Sequence, residues 1–144
     1  MNFQSVVVNV ADLDRSVEFY ADVFGFTLLS RKDQLAVVYV EGTARSQVIV
    51  FRSLGPTGHV GGARHVGIRA LILEVDSLAE VERIESELRK RAALVARHGA
   101  ETWTAAFGRD PDRIAVVAGC SLTGAPVPLE AWAALDESLY ALGE

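Results

Sequence analysis

Side chains able to do chemistry are few in this chain. His59 and His65 lie in or beside a glycine-rich stretch, and His98 follows a charged segment. His65 stands near the start of an apolar run, where it could bind a ligand, take a proton, or coordinate a metal with a nearby carboxylate. A strand-end histidine bonded to backbone has the same sequence context. His59 reads as an exposed loop residue. The single cysteine, Cys120, excludes an intrachain disulfide and a multi-cysteine zinc site. It reads as a small buried hydrophobe. No Gly-x-Ser-x-Gly elbow, P-loop or dinucleotide fingerprint is present, and Gly58-His59-Val60-Gly61-Gly62 follows no strand-to-helix phosphate turn. Glu80, Glu82, Glu85 and Glu87 are interspersed with Arg83, Arg89, Lys90 and Arg91. That spacing makes i,i+4 pairs on a solvated helix face, not a catalytic set.

The elements that must position these residues repeat. Val10-Ala11-Asp12-Leu13 and Val75-Asp76-Ser77-Leu78 each close an apolar run and open a helix, with Val10 and Val75, like Leu13 and Leu78, 65 residues apart. A strand is predicted over 3–10, with Val6, Val8 and Val10 on one face and Ser5, Val7 and Asn9 on the other. Asp12 caps a helix whose apolar side is Leu13, Val17, Tyr20, Ala21 and Phe24, and Gly25 stops it. Strands are predicted over 26–31, 35–41 and 46–53, with turns at Lys32-Asp33 and Glu41-Gly42. Residues 54–64, with Pro56, form a connector. A strand over 66–75 leads to a helix from Ser77 with Val81, Ile84, Leu88 and Leu94 as its buried stripe. Strands over 101–107 and 114–118 flank a turn at 108–113. After a loop over 119–127, Pro128 opens a final helix with Trp132, Leu135, Leu139 and Tyr140 on its apolar side.

Length and composition set bounds on the partners. With 144 residues, half of them apolar and 23% charged, the chain is long enough to bury a core as one domain without disulfides. A net charge of −5, with no stripe of Arg and Lys, argues against nucleic acid as a partner. No apolar stretch approaches the ~20 residues that span a bilayer, so no membrane partner is expected. The first apolar run has no basic segment before it, so no signal peptide is expected and a cytoplasmic location is.

The run Val10-Ala-Asp-Leu-Asp-Arg-Ser-Val-Glu-Phe-Tyr20, followed by Gly25-Phe26, resembles the opening of the vicinal oxygen chelate superfamily. That group holds glyoxalase I, extradiol dioxygenases, methylmalonyl-CoA epimerase and the bleomycin- and fosfomycin-resistance proteins. The turn Asp110-Pro111-Asp112 is similar to the Asp-Pro-Asp-Gly turn near the end of such domains. The resemblance spans roughly residues 3–118 and implies an α+β fold. Two βαβββ modules, about 1–53 and 65–118 with the linker 54–64 between them, curl a mostly antiparallel sheet into a cup around the ligand. A C-terminal loop and helix over 119–144 are added. It also implies a homodimer.

Metal-using members place one ligand on the first and one on the last strand of each module. Carried over, these positions fall on Ser5, about Val50, Ala70, and between Ala115 and Val117. None is a histidine or a carboxylate, whereas a divalent cation needs about three such donors. The expectation is no metal and no other cofactor, with a divalent metal as the alternative.

By alternation, Ser5, Val7 and Asn9 would face the cavity, as would Val48, Val50 and Arg52, and Ala70, Ile72 and Glu74. Trp103, alternating with Glu101 and Ala105, offers a stacking surface or a core contact. An aliphatic wall with a few polar points suits a small organic ligand. Arg52 could hold a carboxylate or phenolate, pair with Glu74 across the cup, or lie with Glu74 at a hydrated rim. The first function expected is metal-free binding of a small hydrophobic or aromatic molecule, similar to the bleomycin-resistance branch. The alternative is a glyoxalase-like lyase or isomerase on a carbonyl substrate, with His65 and Glu74 as acid-base groups and Arg52 stabilising an anion. A dioxygenase fits less well, because its iron wants two histidines and a carboxylate. A third reading is an interaction module that uses the final helix.

Overall fold

β1 (Ser5–Val10) passes straight into α1 (Leu13–Phe24) because Asp12, in extended backbone, caps the helix: its side chain accepts from Arg15 N at 3.0 Å. Gly25 ends α1 at φ 72, and its N–H donates to Ala21 O at 2.9 Å while Phe26 N donates to Tyr20 O at 3.2 Å. This is the left-handed stop that the sequence predicts there. The chain then makes an antiparallel meander of β2 (Thr27–Lys32), β3 (Leu35–Val40) and β4 (Gln47–Ser53). β4 returns beside β1 in parallel, so the sheet order is β1-β4-β3-β2.

This computed structural model describes residues 5–40, 47–55 and 70–127, and it divides into two compact units, Met1–Val60 and Gly61–Glu144. In the first, α1 covers one sheet face. Phe19, Tyr20 and Val23 are buried, as are Val8, Val10, Ala36, Val38, Ile49 and Phe51 on the strands. The Tyr20 ring lies 4.9 Å from Phe51 and 5.6 Å from Phe26, an aromatic packing worth more than its buried area alone.

The second unit repeats the plan. β5 (Ala70–Glu74) leads to α2 (Leu78–Lys90), then β6 (Leu94–Gly99), β7 (Trp103–Arg109) and β8 (Ala115–Ser121), in the order β5-β8-β7-β6 with β5 and β8 parallel. Ser77 caps α2 by accepting from Glu80 N at 3.2 Å. Val81, Ile84 and Leu88 are its buried stripe, and Val81 packs with Ala106 and Cys120. The fold is therefore α+β, built from two βαβββ modules, each a mixed four-stranded sheet with a helix on one face.

Three expectations are corrected. Leu94 is not on the helix stripe. The helix closes at Lys90, Ala93 N bonds Leu88 O at 2.8 Å, and Leu94 opens β6 opposite Gly108. β6 itself is a strand that helical spacing concealed. The last strand runs to Ser121 rather than 118, because Cys120 and Ser121 pair with Thr104 and Trp103. Glu101 precedes β7 instead of lying in it. The expected final helix (Trp132, Leu135, Leu139, Tyr140) and most of the connector lie outside the described residues.

Between β7 and β8, Asp110 Oδ1 accepts from Asp112 N (2.9 Å) and Ile114 N (2.8 Å), and Asp110 is buried. Arg113 follows at φ 66, where the resembling turn has glycine. Arg113→Gly should relieve left-handed strain and raise unfolding free energy by about 1 kcal/mol in urea titration. Gly108→Ala should lower it by about 1–3 kcal/mol in the same titration. Its Cβ would meet Leu88 Cδ2 at 2.7 Å and the Ala93 carbonyl oxygen at 2.9 Å.

Candidate functional site

In each unit the helix covers one sheet face, so side chains that the helix does not seal lie on the other. Register decides which side chains share it. In the first unit Ser5, Val7 and Asn9 stand beside Val48, Val50 and Arg52 in the parallel β1–β4 ladder. Val7 is 56% exposed, while its neighbours Val8 and Val10 are buried under α1. All six predicted residues thus occupy the helix-free face, together with residues that alternation alone did not single out. Leu35, Val37 and Tyr39 of β3 lie opposite Arg52, Val50 and Val48, and Leu35 is 44% exposed.

β2 joins through a bulge. Its register shifts between Leu28 and Ser30, so Leu29 is the extra residue. Beyond it, Ser30 and Lys32 oppose Val37 and Leu35 on the helix-free face. Arg31 opposes Ala36 on the other face and forms an ion pair with Asp14 of α1. The result is an aliphatic and aromatic surface with Ser5, Asn9, Arg52, Ser30 and Lys32 around it.

In the second unit Ala70, Ile72 and Glu74 of β5 stand opposite Ala115, Val117 and Gly119 of β8. Trp103, Ala105 and Phe107 of β7 oppose Ser121, Gly119 and Val117. Ala105, Phe107 and Val117 form a buried cluster against which Val95, Ala96 and half-buried Trp103 pack. Trp103 is thus a core contact of this face. Ile72 (47% exposed) and Glu74 remain accessible.

β6 carries the residue that sequence reasoning left without a role. Its register shifts between Leu94 and Ala96, placing a bulge at Val95. Strict alternation from Leu94, which opposes Gly108 over the helix, would put His98 on the helix side too. The bulge inverts the phase, and His98 opposes Ala105 on the helix-free face. Arg97 takes the helix side. Its Nε donates to Thr104 Oγ1 at 2.8 Å, and its Nη1 bonds the Glu85 carboxylate, which also receives Arg89 Nη2 at 2.5 Å. No signal in the sequence marks the bulge; a basic residue beside a buried helix face was the nearest hint.

His65 lies outside the described residues. Arg52 and Glu74 belong to separate units, and both are exposed on helix-free faces. The positions carried over from metal-holding proteins fall on Ser5, about Val50, Ala70, and between Ala115 and Val117. That donor set, one hydroxyl and aliphatic groups, does not fit a divalent cation. Among the described residues no group of three His, Cys, Asp or Glu could share a metal ion. Nor is any described helix long and apolar enough to cross a membrane.

Residues 2–117 match the family model described as Glyoxalase/Bleomycin resistance protein/Dioxygenase superfamily. No curated protein matches in sequence. Among solved structures, a glyoxylase/bleomycin resistance protein/dioxygenase domain from Frankia sp. EAN1pec superposes with TM-score 0.69 at 23% identity, covering 87% of this chain and 95% of that one. A lactoylglutathione lyase from Agrobacterium tumefaciens gives 0.62 at 20% identity, over 83% and 92%. A glyoxalase/dioxygenase from Nostoc punctiforme gives 0.64 at 15% identity, over 82% and 89%. At these identities the likeness is one of fold.

Cys120 sits on the helix side of β8, buried among Val81 and Ala106. Burial pushes its thiol above the ordinary range, with nearby Arg97 lowering it and Glu74 raising it further. The native protein should therefore react with a thiol reagent such as dithionitrobenzoate at pH 8 at least ~10-fold more slowly than the urea-unfolded chain. Equal rates would place Cys120 at an accessible surface.

Proposed function

The chain belongs to the glyoxalase/bleomycin resistance protein/dioxygenase superfamily, and from that premise we propose that it binds a small hydrophobic or aromatic molecule, without a metal, on the helix-free face of its first sheet. One observation carries the reading: the first sheet holds Val7, Leu35, Val37, Tyr39, Val48 and Val50 together on a face no helix covers, with Val7 and Leu35 about half exposed. Apolar surface of this kind with polar groups at its margin suits an organic ligand, in which burial of the ligand's carbon surface drives affinity and the margin orients it. Ser5, Asn9 and Arg52 are the orienting groups, and Arg52 suits a carboxylate or phenolate.

The donor set supports a metal-free mode. A hydroxyl and otherwise aliphatic side chains at the carried-over positions supply neither the imidazoles nor the carboxylates that a borderline or hard cation requires. Binding then works by shape and desolvation, with no bond made or broken in the ligand.

A lyase or isomerase acting on a carbonyl substrate is the second reading, and the observation that favours it is the exposed carboxylate of Glu74 on the helix-free face of β5. There it could take a proton from an enolisable carbon.

Purified protein incubated with Zn, Fe(II), Mn, Ni or Mg should retain less than about a tenth of an equivalent by elemental analysis, with an unchanged melting temperature. Near one equivalent of any of them would overturn the metal-free reading. In a thermal-shift screen of aromatic compounds, a ligand at ~100 times its Kd should stabilise the protein by about 2.7 kcal/mol. Val50→Lys should abolish that shift while leaving the fold intact, because Val50 is only half buried and faces away from α1. Recovery of a chemically altered compound would favour the enzyme instead.

A further inference from the structure

The first sheet has a charge of its own. The protein carries 19 acidic against 14 basic residues, yet β1 to β4 contain no aspartate or glutamate, and their charged residues are Arg31, Lys32 and Arg52. Arg31 turns to the helix side and meets Asp14. In the second unit Arg83 meets Glu80, Arg89 and Arg97 meet Glu85, and Lys90 meets Glu87. Lys32 and Arg52 have no such carboxylate among the described residues, and both are exposed.

Register gathers these two on one line across the helix-free face. Asn9 opposes Arg52, Arg52 opposes Leu35, and Leu35 opposes Lys32. It is the Leu29 bulge that brings Lys32 to this side. Arg52 and Lys32 stand two strand spacings apart, about 10 Å at Cα, with a leucine between them and long stems that can lean over it. The next line is Val7, Val50, Val37 and Ser30, and the one after it is Ser5, Val48 and Tyr39. The face therefore has a cationic end, from which an aliphatic and aromatic field reaches about 13 Å, two steps of two residues.

From this placement we propose that the occupant is a small organic carboxylate. Arg52 and Lys32 hold its carboxylate with Asn9 beside them, and its ring or chain lies over Val50 and Val37 toward Tyr39. The proposal rests on the ligand-binding reading above and names its ligand class. The guanidinium fork matches two carboxylate oxygens, and a carboxylic acid is ionised at neutral pH, whereas a phenol with a pKa of about 10 is not. No carboxylate on the four strands competes for the two cations or repels the ligand. Size favours a small molecule over a macromolecule. Four strands by three lines measure about 14 by 13 Å, well short of the ~800 Å² that each partner of a stable protein pair buries.

Two probes of one shape test it: 2-naphthoate and 2-naphthamide, which differ in charge. At about 20 mM salt the wild-type protein should bind naphthoate at least ~5-fold more tightly by fluorescence titration. That preference should fall to within about 2-fold at about 0.5 M salt, because exposed charges are screened, a readout that needs no variant to fold. Arg52→Gln should weaken naphthoate about 5-fold and Lys32→Gln about 2-fold with naphthamide unchanged, and the double variant should bind the two probes alike. Arg113→Gln removes a cation from the second unit and should leave the preference intact, which an effect of net charge alone would not. Equal affinities in the wild-type protein, or a preference that survives the double variant, would overturn the carboxylate proposal and leave apolar binding standing. Failure of both probes to bind at about 1 mM would overturn both.

Discussion

Each module depends on one pairing: its first strand lies parallel to its last. Ser5 meets Val48 at the start of one ladder, and Ala70 meets Ala115 at the start of the other. A parallel pair cannot be closed by a tight turn, so the chain between must travel, and here it does so through a helix and two antiparallel strands. The helix settles on one face of the sheet it has helped to close. That single choice divides every strand into a side sealed by α1 or α2 and a side left for other contacts. Val8, Val10, Ile49 and Phe51 fall on the sealed side, and Ser5, Val7, Val50 and Arg52 on the other.

The division is then edited by two bulges at equivalent places. In the second strand of each module one extra residue, Leu29 or Val95, breaks the period of two. Because side chains alternate strictly, a one-residue slip exchanges the faces of everything beyond it. In β2 this sends Arg31 to the helix side, where Asp14 meets it. In β6 it sends Arg97 to Glu85 and Thr104, and thereby turns His98 the opposite way. The ion pairs are consequences of the bulge, and they also resist its loss: returning to strict alternation would carry Arg97 away from the partly buried carboxylate of Glu85 and away from Thr104.

The two faces differ in character. In the first sheet the helix-free side keeps large apolar side chains in contact with water, an arrangement a monomeric surface seldom tolerates without a use. In the second, the centre of that side is closed, with Ala105, Phe107 and Val117 buried, and its polar content is reduced to His98 within and Glu74 at the exposed margin.

Much of this was legible from residue order alone. Asp12 and Ser77 as caps, Gly25 as a stop, and the faces of β1, β4 and β5 all follow from local physics: a side-chain oxygen near orphan N–H groups, a backbone without Cβ, and strict alternation. The donors absent at Ser5, Val50 and Ala70 were equally plain, since chemistry is carried by residue type. What tertiary structure alone decided was phase and extent. Leu94 continues an apolar rhythm until Gly108 pairs with it, β8 runs on to Ser121 because Trp103 lies opposite, and His98 changes face because Val95 is squeezed out of register. Local sequence sets which side chains alternate. Only the partner strand, through hydrogen bonds that must be met across the sheet, sets where the alternation slips.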